Sequence, residues 1–415
     1  MAYMARKDQP SWFKDILEEI NCHRLHPEYD EFLYNHITHG VIALYILGTD
    51  ETRIRHFSDW YKNKRNVTQL DIAQAQIGYE FSEDVSDLMG TRQSFHEILA
   101  YYDNLAKCEG VESVIRDFYP SLGTGFVAGL FHGLIHLGYG CSVKSQEMMI
   151  EGLAYLHYAY EPFSYDMAPT NEIIHFGKGL RTFSAILESI KKNKELQKKV
   201  ESFHSELKHL NLGLFQPRLI GISHYMANDF LQLAHQVKLP DFFSTESCDI
   251  LTLTKLTNWL VLKILDVYCR SEMVNDYVLL HGVMGCWALR HVLPLLKFED
   301  ALVSVRNYIA VTFALYTIEH CSSLTRPIPE LKNPLEESHW QVVINEITAV
   351  DSDEHVFKLS QVCYCLWQEG YRGSEYDAMF ISAINTVSKN VFRYAVPEQT
   401  SEPQQGPQGG SSTSV

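Results

Sequence analysis

Apolar residues recur every three to four positions along nearly the whole chain, and that spacing predicts helices. Ser11 stands where a helix would be capped, followed by Trp12, Phe13, Ile16, Leu17 and Ile20 on one side. Leu33, Ile37, Val41, Leu44 and Tyr45 keep helical register up to a stop at Gly48. Residues 52–64, 94–108 and 111–119 are predicted helical, the last ending before Pro120. Residues 123–140, GTGFVAGLFHGLIHLGYG, carry no charge and are expected to form one buried helix. Further helices are predicted over 146–160, 181–210, 219–237, 251–267, 273–297, 301–320, 340–350, 353–367 and 376–391, with Asp351 or Ser352 capping the helix from 353. Alternating β patterns and hairpin dipeptides are nearly absent. The expectation is an all-α protein, with one multi-helix, bundle-like catalytic domain over residues 11–395. The tail at 396–415, dominated by Pro, Gln, Gly, Ser and Thr, is expected to be disordered.

Composition adds exclusions. With 46% hydrophobic residues in 415, the chain has enough apolar material for a substantial core. A formal charge of −16 argues against a nucleic-acid partner, which would call for a basic surface. The run KKNKELQKKVE is read as a solvated helix face because glutamates are interspersed. Nine scattered cysteines without a CxxC pair suit buried free thiols in a reducing compartment. No signal core is seen near Met1 and no later run is read as a membrane span, so a cytoplasmic protein with no membrane association is expected.

Candidate chemistry lies in the histidines. Four apolar segments carry them: NHITH, FHGLIH, LLHG and DEHVFK. His132 and His136, four apart, share a helix face, as do His36 and His39, three apart. Neutral imidazole binds a metal without importing charge, so each pair is either the start of a metal site or a set of satisfied core histidines. His281 alone would favour the core reading; the repetition of the pattern favours facing helices that build a site. His355 and Lys358 share a face of the 353–367 helix. A buried lysine there would have to become neutral or acquire a carboxylate from carbon dioxide; the alternative is a side chain that reaches solvent at the helix flank. Gly123, Gly125 and Gly129 mimic a dinucleotide fingerprint, but no strand precedes them, and close helix approach is the preferred reading.

In this order, NHITHGVIALYILG, FHGLIHLGYG, LLHGVMG and DEHVFK resemble the questin oxidase-like family, over roughly residues 17–392 by motif order. The resemblance implies an oxidoreductase: an oxygenase, Baeyer–Villiger-like or ring-cleaving, that uses dioxygen on an anthraquinone-type substrate with NADPH as reductant. It also implies a non-haem iron, Fe(II), held by four histidines and a carboxylated lysine. Carried over by motif, those are His36, His132, His281, His355 and Lys358. His39 and His136 are then left as candidate catalytic residues beside the metal, together with Lys358, which conflicts with the simple His132/His136 pair. Tyr34, Phe131, Tyr139 and Trp287 are candidates to wall a pocket for a flat aromatic substrate. The competing classes are a non-catalytic helical protein on the same fold and a metal-dependent hydrolase, the latter weakened by the lack of an evident carboxylate near the histidines.

Overall fold

A computed structural model describes residues 9–22, 25–29, 33–65, 67, 85–91, 95–163, 176–207, 226–244, 247–318 and 321–389. The expected tail, residues 396–415, lies outside them, as do the first residues of the helix predicted over 219–237.

The first part of the chain builds α1 (Ser11–Glu19), a two-stranded antiparallel sheet of β1 (Glu28–Tyr29) and β2 (Leu33–Tyr34), α2 (Ile37–Ile46) and α3 (Glu51–Arg65). Next come α4 (Phe95–Glu109), α5 (Val111–Leu122), α6 (His132–Val143) and α7 (Gln146–Tyr158). The middle holds α8 (Phe183–Lys192), α9 (Lys194–Leu207), α10 (Ala227–Gln236), α11 (Ile250–Arg270), α12 (Tyr277–Val292) and α13 (Phe298–Ile318). The chain then adds α14 (Glu337–Thr348), α15 (Glu354–Gln368) and α16 (Ser374–Lys389). The all-α expectation holds for the described residues, with the β1–β2 pair as their one small sheet.

Helix starts follow side-chain capping. Asp276 Oδ1 accepts from Leu279 N at 2.8 Å and Asp249 Oδ1 from Thr252 N at 2.7 Å, meeting donors that a helix start leaves unpaired. The expected helix over 273–297 therefore begins at Tyr277. At α15 the cap is Asp353, whose carboxylate accepts from His355 N, and not Asp351 or Ser352.

Several expected elements differ. Leu33 and Tyr34 pair with Tyr29 and Glu28 as strand, so α2 starts only at Ile37. The helix before Pro120 runs through it to Leu122; a proline in the last turn is tolerated where Tyr119 and Leu122 are buried. The 181–210 helix starts at Phe183 after the Thr182 cap and is broken at Asn193. Residues 123–140 are not one helix. Gly123–Gly125 and Ala128–Phe131 are 3-10 turns, and Gly129, Leu130 and Phe131 are all left-handed, with φ of 54°, 53° and 67°. Only glycine takes that region freely, so the two following residues are strained into it by their burial.

Contrary to the expectation that no run suits a membrane, Tyr277–Leu295 and Phe298–Ile318 are long and apolar enough to cross one. In the fold both are largely buried against other helices, which makes them core helices. All nine cysteines are free; Cys108 is exposed and six are buried.

Close helix approach between α6, α7 and α12 runs through glycines other than the Gly123, Gly125 and Gly129 expected to permit it; of those, Gly129 lies against Tyr155 of α7 and Gly125 against Tyr160. A Cβ on Gly138 would lie 2.5 Å from the Ala288 carbonyl on α12, and one on Gly152 would strike the Leu137 backbone. Backbone cannot yield as a flexible side chain can. Gly152→Ala is therefore expected to cost about 3 kcal/mol, the upper range for overpacking, read as a lower denaturant midpoint. An unchanged midpoint would mean that α6 and α7 are not in this register.

Candidate metal centre

α2, α6, α12 and α15 pack around one point. His36 caps α2, His132 opens α6, His281 lies one turn into α12, and His355 is in the first turn of α15. Their rings form a cycle: His36–His132, His132–His281, His281–His355 and His355–His36 centroids are 4.6, 5.0, 4.8 and 4.8 Å apart. Across the cycle, His36 and His281 are 6.1 Å apart. Residues separated by more than three hundred positions thus meet, and all four are buried.

The other edge of three of the rings is hydrogen-bonded, and His36 Nδ1, without a hydrogen-bond partner, has a carboxylate nearby. His281 Nδ1 donates to the Tyr277 carbonyl at 2.8 Å, and His132 Nδ1 donates to the Gly129 carbonyl. His355 Nδ1 lies 2.6 Å from Asp353 Oδ1, and His36 Nδ1 lies 3.3 Å from Glu354 Oε1. Carbonyls and carboxylates only accept, so His132, His281 and His355 hold a proton on Nδ1 and turn Nε2 inward. The left-handed turn at 129–131 thus has a use, since it carries the Gly129 carbonyl to His132. Facing nitrogens are close: His36 Nε2 to His132 Nε2 is 2.8 Å, and His281 Nε2 to His355 Nε2 is 3.2 Å. Where both rings carry their proton on Nδ1 no hydrogen lies between the facing nitrogens, and a cation among them would make such a contact favourable. Nitrogens bound at about 2.1 Å and at right angles would be about 3.0 Å apart, which the two separations bracket.

Lys358, one turn beyond His355, does not reach solvent: it is 0% exposed and its Nζ has no hydrogen-bond partner. Burial lowers its pKa to about 8, with the nearby carboxylates of Glu354 and Asp353 opposing the shift. Burial, then Lys358 and the neighbouring rings, holds His36 and His39 well below the ordinary imidazole range. His281 is lowered too, by burial and then by His355, His132 and Lys358. These rings stay neutral, as metal ligation requires.

His132 and His136 do not act as a pair. His132 joins the cycle, whereas His136 Nε2 donates to Glu151 Oε2 at 2.9 Å and its Nδ1 faces His39 Nε2 at 3.1 Å. Tyr34 stacks on His132, centroids 4.7 Å apart and planes within 3°, and also on His39 at 5.5 Å. Of the other expected pocket aromatics, Tyr139 stacks on His39, Trp287 packs on Tyr139, and Phe131 packs away against Phe126 and Tyr308.

The carboxylates absent from the sequence reading are present. Glu354 is 2% exposed and its Oε1 also lies 3.4 Å from His355 Nδ1, so it braces two rings at once. Burial, then Asp353, raises its pKa. For Asp353, burial acts upward but the neighbouring His355 and its hydrogen bonds outweigh it, leaving about 2. Arg65 Nη2 closes the group at 3.2 Å from Asp353 Oδ2. The adjacency of Asp353, Glu354 and His355 was the available signal; a D-E pair at a helix start is ordinarily just a cap. Glu151 carried no signal, because it lies 15 residues beyond His136.

The sequence model for questin oxidase-like proteins matches residues 33–363, a span that contains all five motif-derived residues. The chain belongs to the questin oxidase-like family. Membership implies an oxidase or oxygenase with a small-molecule substrate, and His36, His281 and His355 of the buried cycle lie close enough together to hold a metal ion. The matched span is narrower than the expected 17–392 and leaves out α1, β1, the end of α15 and all of α16. No curated protein matches the chain.

The buried neutral rings set an acid limit on the metal-free protein. Below about pH 6.5 the unfolded chain binds protons that His36, His39 and His281 refuse in the fold, so stability falls as pH falls. Each contributes about 1.4 kcal/mol per pH unit; Glu354, which binds a proton more readily folded than unfolded, offsets one at most. Denaturant titrations at pH 7.0 and 5.5 check this, and equal stabilities at both would contradict it.

Proposed function

We propose that this questin oxidase-like chain is a non-haem iron oxygenase acting on a flat polycyclic phenol or quinone with dioxygen, with NADPH as reductant. The observation that carries the reading is the convergence of the Nε2 atoms of His36, His132, His281 and His355, three of the rings fixed by an outward hydrogen bond and His36 beside the Glu354 carboxyl. Orphaned Lys358 Nζ supports a fifth position, filled by its carboxylated form. Iron held there would supply activation of dioxygen. The chain's own part is to keep His36 and His281 neutral by burial, to hold the tautomers of His132, His281 and His355 through Gly129, Tyr277 and Asp353, and to exclude water. Transfer of one oxygen atom to substrate with reduction of the other to water consumes two electrons, which NADPH delivers as hydride.

Metal analysis of purified protein, followed by labelled dioxygen and a panel of anthraquinones and phenols, tests the proposal. One iron per chain and label in a product are expected. Protein without metal would favour the non-catalytic alternative; metal without label in any product would favour hydrolysis. For that alternative the nearby carboxylates exist, but Asp353 and Glu354 are taken up in bracing imidazoles.

A further inference from the structure

A second group of ligand-type atoms lies one ring behind the histidine cycle. Cys22 Sγ, a His136 ring nitrogen and a Glu151 carboxylate oxygen are within 4.8 Å of one another, the closeness that His36, His281 and His355 reach in the cycle. All three residues are buried, Cys22 at 7% exposed and His136 and Glu151 at 1% each. They come from separate parts of the chain: Cys22 from the segment between α1 and β1, His136 from α6 and Glu151 from α7. Cys22 also lies outside residues 33–363, so this group is not what places the chain in its family.

Glu151 is the hub. Its Oε1 accepts from Cys22 N at 2.8 Å, and its Oε2 accepts from His136 Nε2 at 2.9 Å, which holds the carboxylate between the other two groups. The His39 ring separates them from the cycle, with centroids 5.2 Å from His136 and 5.6 Å from His36. A thiolate, a neutral imidazole and a carboxylate make a donor set suited to zinc, and three protein ligands leave its fourth tetrahedral position to water. Thiolate and carboxylate together carry two negative charges, which a divalent ion cancels, so the filled site adds no net charge to the core. Nitrogen and oxygen bound to zinc at about 2.1 Å stand about 3.4 Å apart in a tetrahedron, so the 2.9 Å contact of His136 with Glu151 opens by about 0.5 Å on binding.

We propose that Cys22, His136 and Glu151 form a second metal site, with zinc as its ion. The site stands whether or not the cycle holds iron. Binding displaces the Cys22 thiol proton to solvent, a proton that burial and Glu151 otherwise keep on sulfur. The His136 ring proton moves from Nε2 to Nδ1, where His39 Nε2 at 3.1 Å accepts it. The ion then ties the segment after α1 to α6 and α7.

The test adds Co(II) alone, a spectroscopic stand-in for zinc, to full-length metal-free protein with its thiols kept reduced. Two equivalents per chain are expected. One of them should give a near-ultraviolet thiolate-to-cobalt charge-transfer band, which the cycle, having no sulfur, cannot produce. His281→Gln should lose one equivalent and keep the band. Cys22→Ser should keep one equivalent and lose the band. Should Cys22→Ser fold poorly by circular dichroism, His136→Gln is expected to weaken the band-forming site by more than about a hundredfold, beyond the range for groups that only orient a ligand. Cys108→Ser, which alters the exposed thiol, should change nothing. Zn(II) added in equal amount should erase the band, because thiolate ligation selects zinc. A band that survives Cys22→Ser or resists zinc, or cobalt uptake without any band, overturns the site and leaves a hydrogen-bonded core cluster. Loss of the band in His281→Gln as well overturns a separate second site. One equivalent only, with a band that Cys22→Ser removes, supports this site and overturns the iron reading alone.

Discussion

His281→Gln is expected to yield a folded protein that no longer retains iron. His281 is 0% exposed, with Nδ1 tied to the Tyr277 carbonyl and Nε2 3.2 Å from His355 Nε2, so it has no role at the surface to confuse the result. Removing a group that merely orients a metal ligand costs about 10–100-fold in affinity, and removing a ligating nitrogen should exceed that range. Glutamine approximates the volume but does not return a nitrogen to the same point. Competition against a chromophoric chelator should therefore show more than about a hundredfold loss for His281→Gln, and a loss within the orienting range for Glu354→Gln. His56→Gln, which alters an exposed pair with Asp351, should bind iron as the unaltered protein does. Equal affinities for His281→Gln and His56→Gln would remove His281 from the site.

The fold class was legible because helical periodicity is local, and so were the motifs that carry the four cycle histidines. Three features were not. The break at residues 129–131 depends on tertiary packing: Leu130 and Phe131 take left-handed backbone only because their burial and the Gly129–His132 contact demand it. The assignment of α2's two histidines and α6's two to different tasks was invisible, since spacing of three or four places both members of each pair on one face. Depth along the helix decides it: His36 and His132 sit at the helix starts, within the cycle, while His39 and His136, one turn on, face each other and Glu151. The bracing carboxylates were hidden differently. Glu354 and Asp353 read as capping residues, and Asp353 does cap, yet the same side chain also holds His355 Nδ1.

Lys358→Met is expected to stabilise the metal-free protein while abolishing its metal-dependent activity. A lysine whose folded pKa is lowered from 10.5 to about 8 binds its proton less readily in the fold than in the unfolded chain. It therefore destabilises the fold at pH 7, and stability recovers as pH rises from 8 towards 10.5. The 2.5-unit difference corresponds to about 3 kcal/mol, and methionine fills much of the same space without the charge. Such a group is retained against its cost only if it does something the fold does not need. The expected signature is then a raised denaturant midpoint, loss of that pH dependence, and loss of iron on gel filtration. In Lys358→Ala, which leaves room, acetate or propionate should restore part of the iron binding by supplying the missing carboxylate, and uncharged acetamide should not. If Lys358→Met is less stable and keeps its iron, Lys358 is a structural residue, and the fifth ligand must be sought elsewhere.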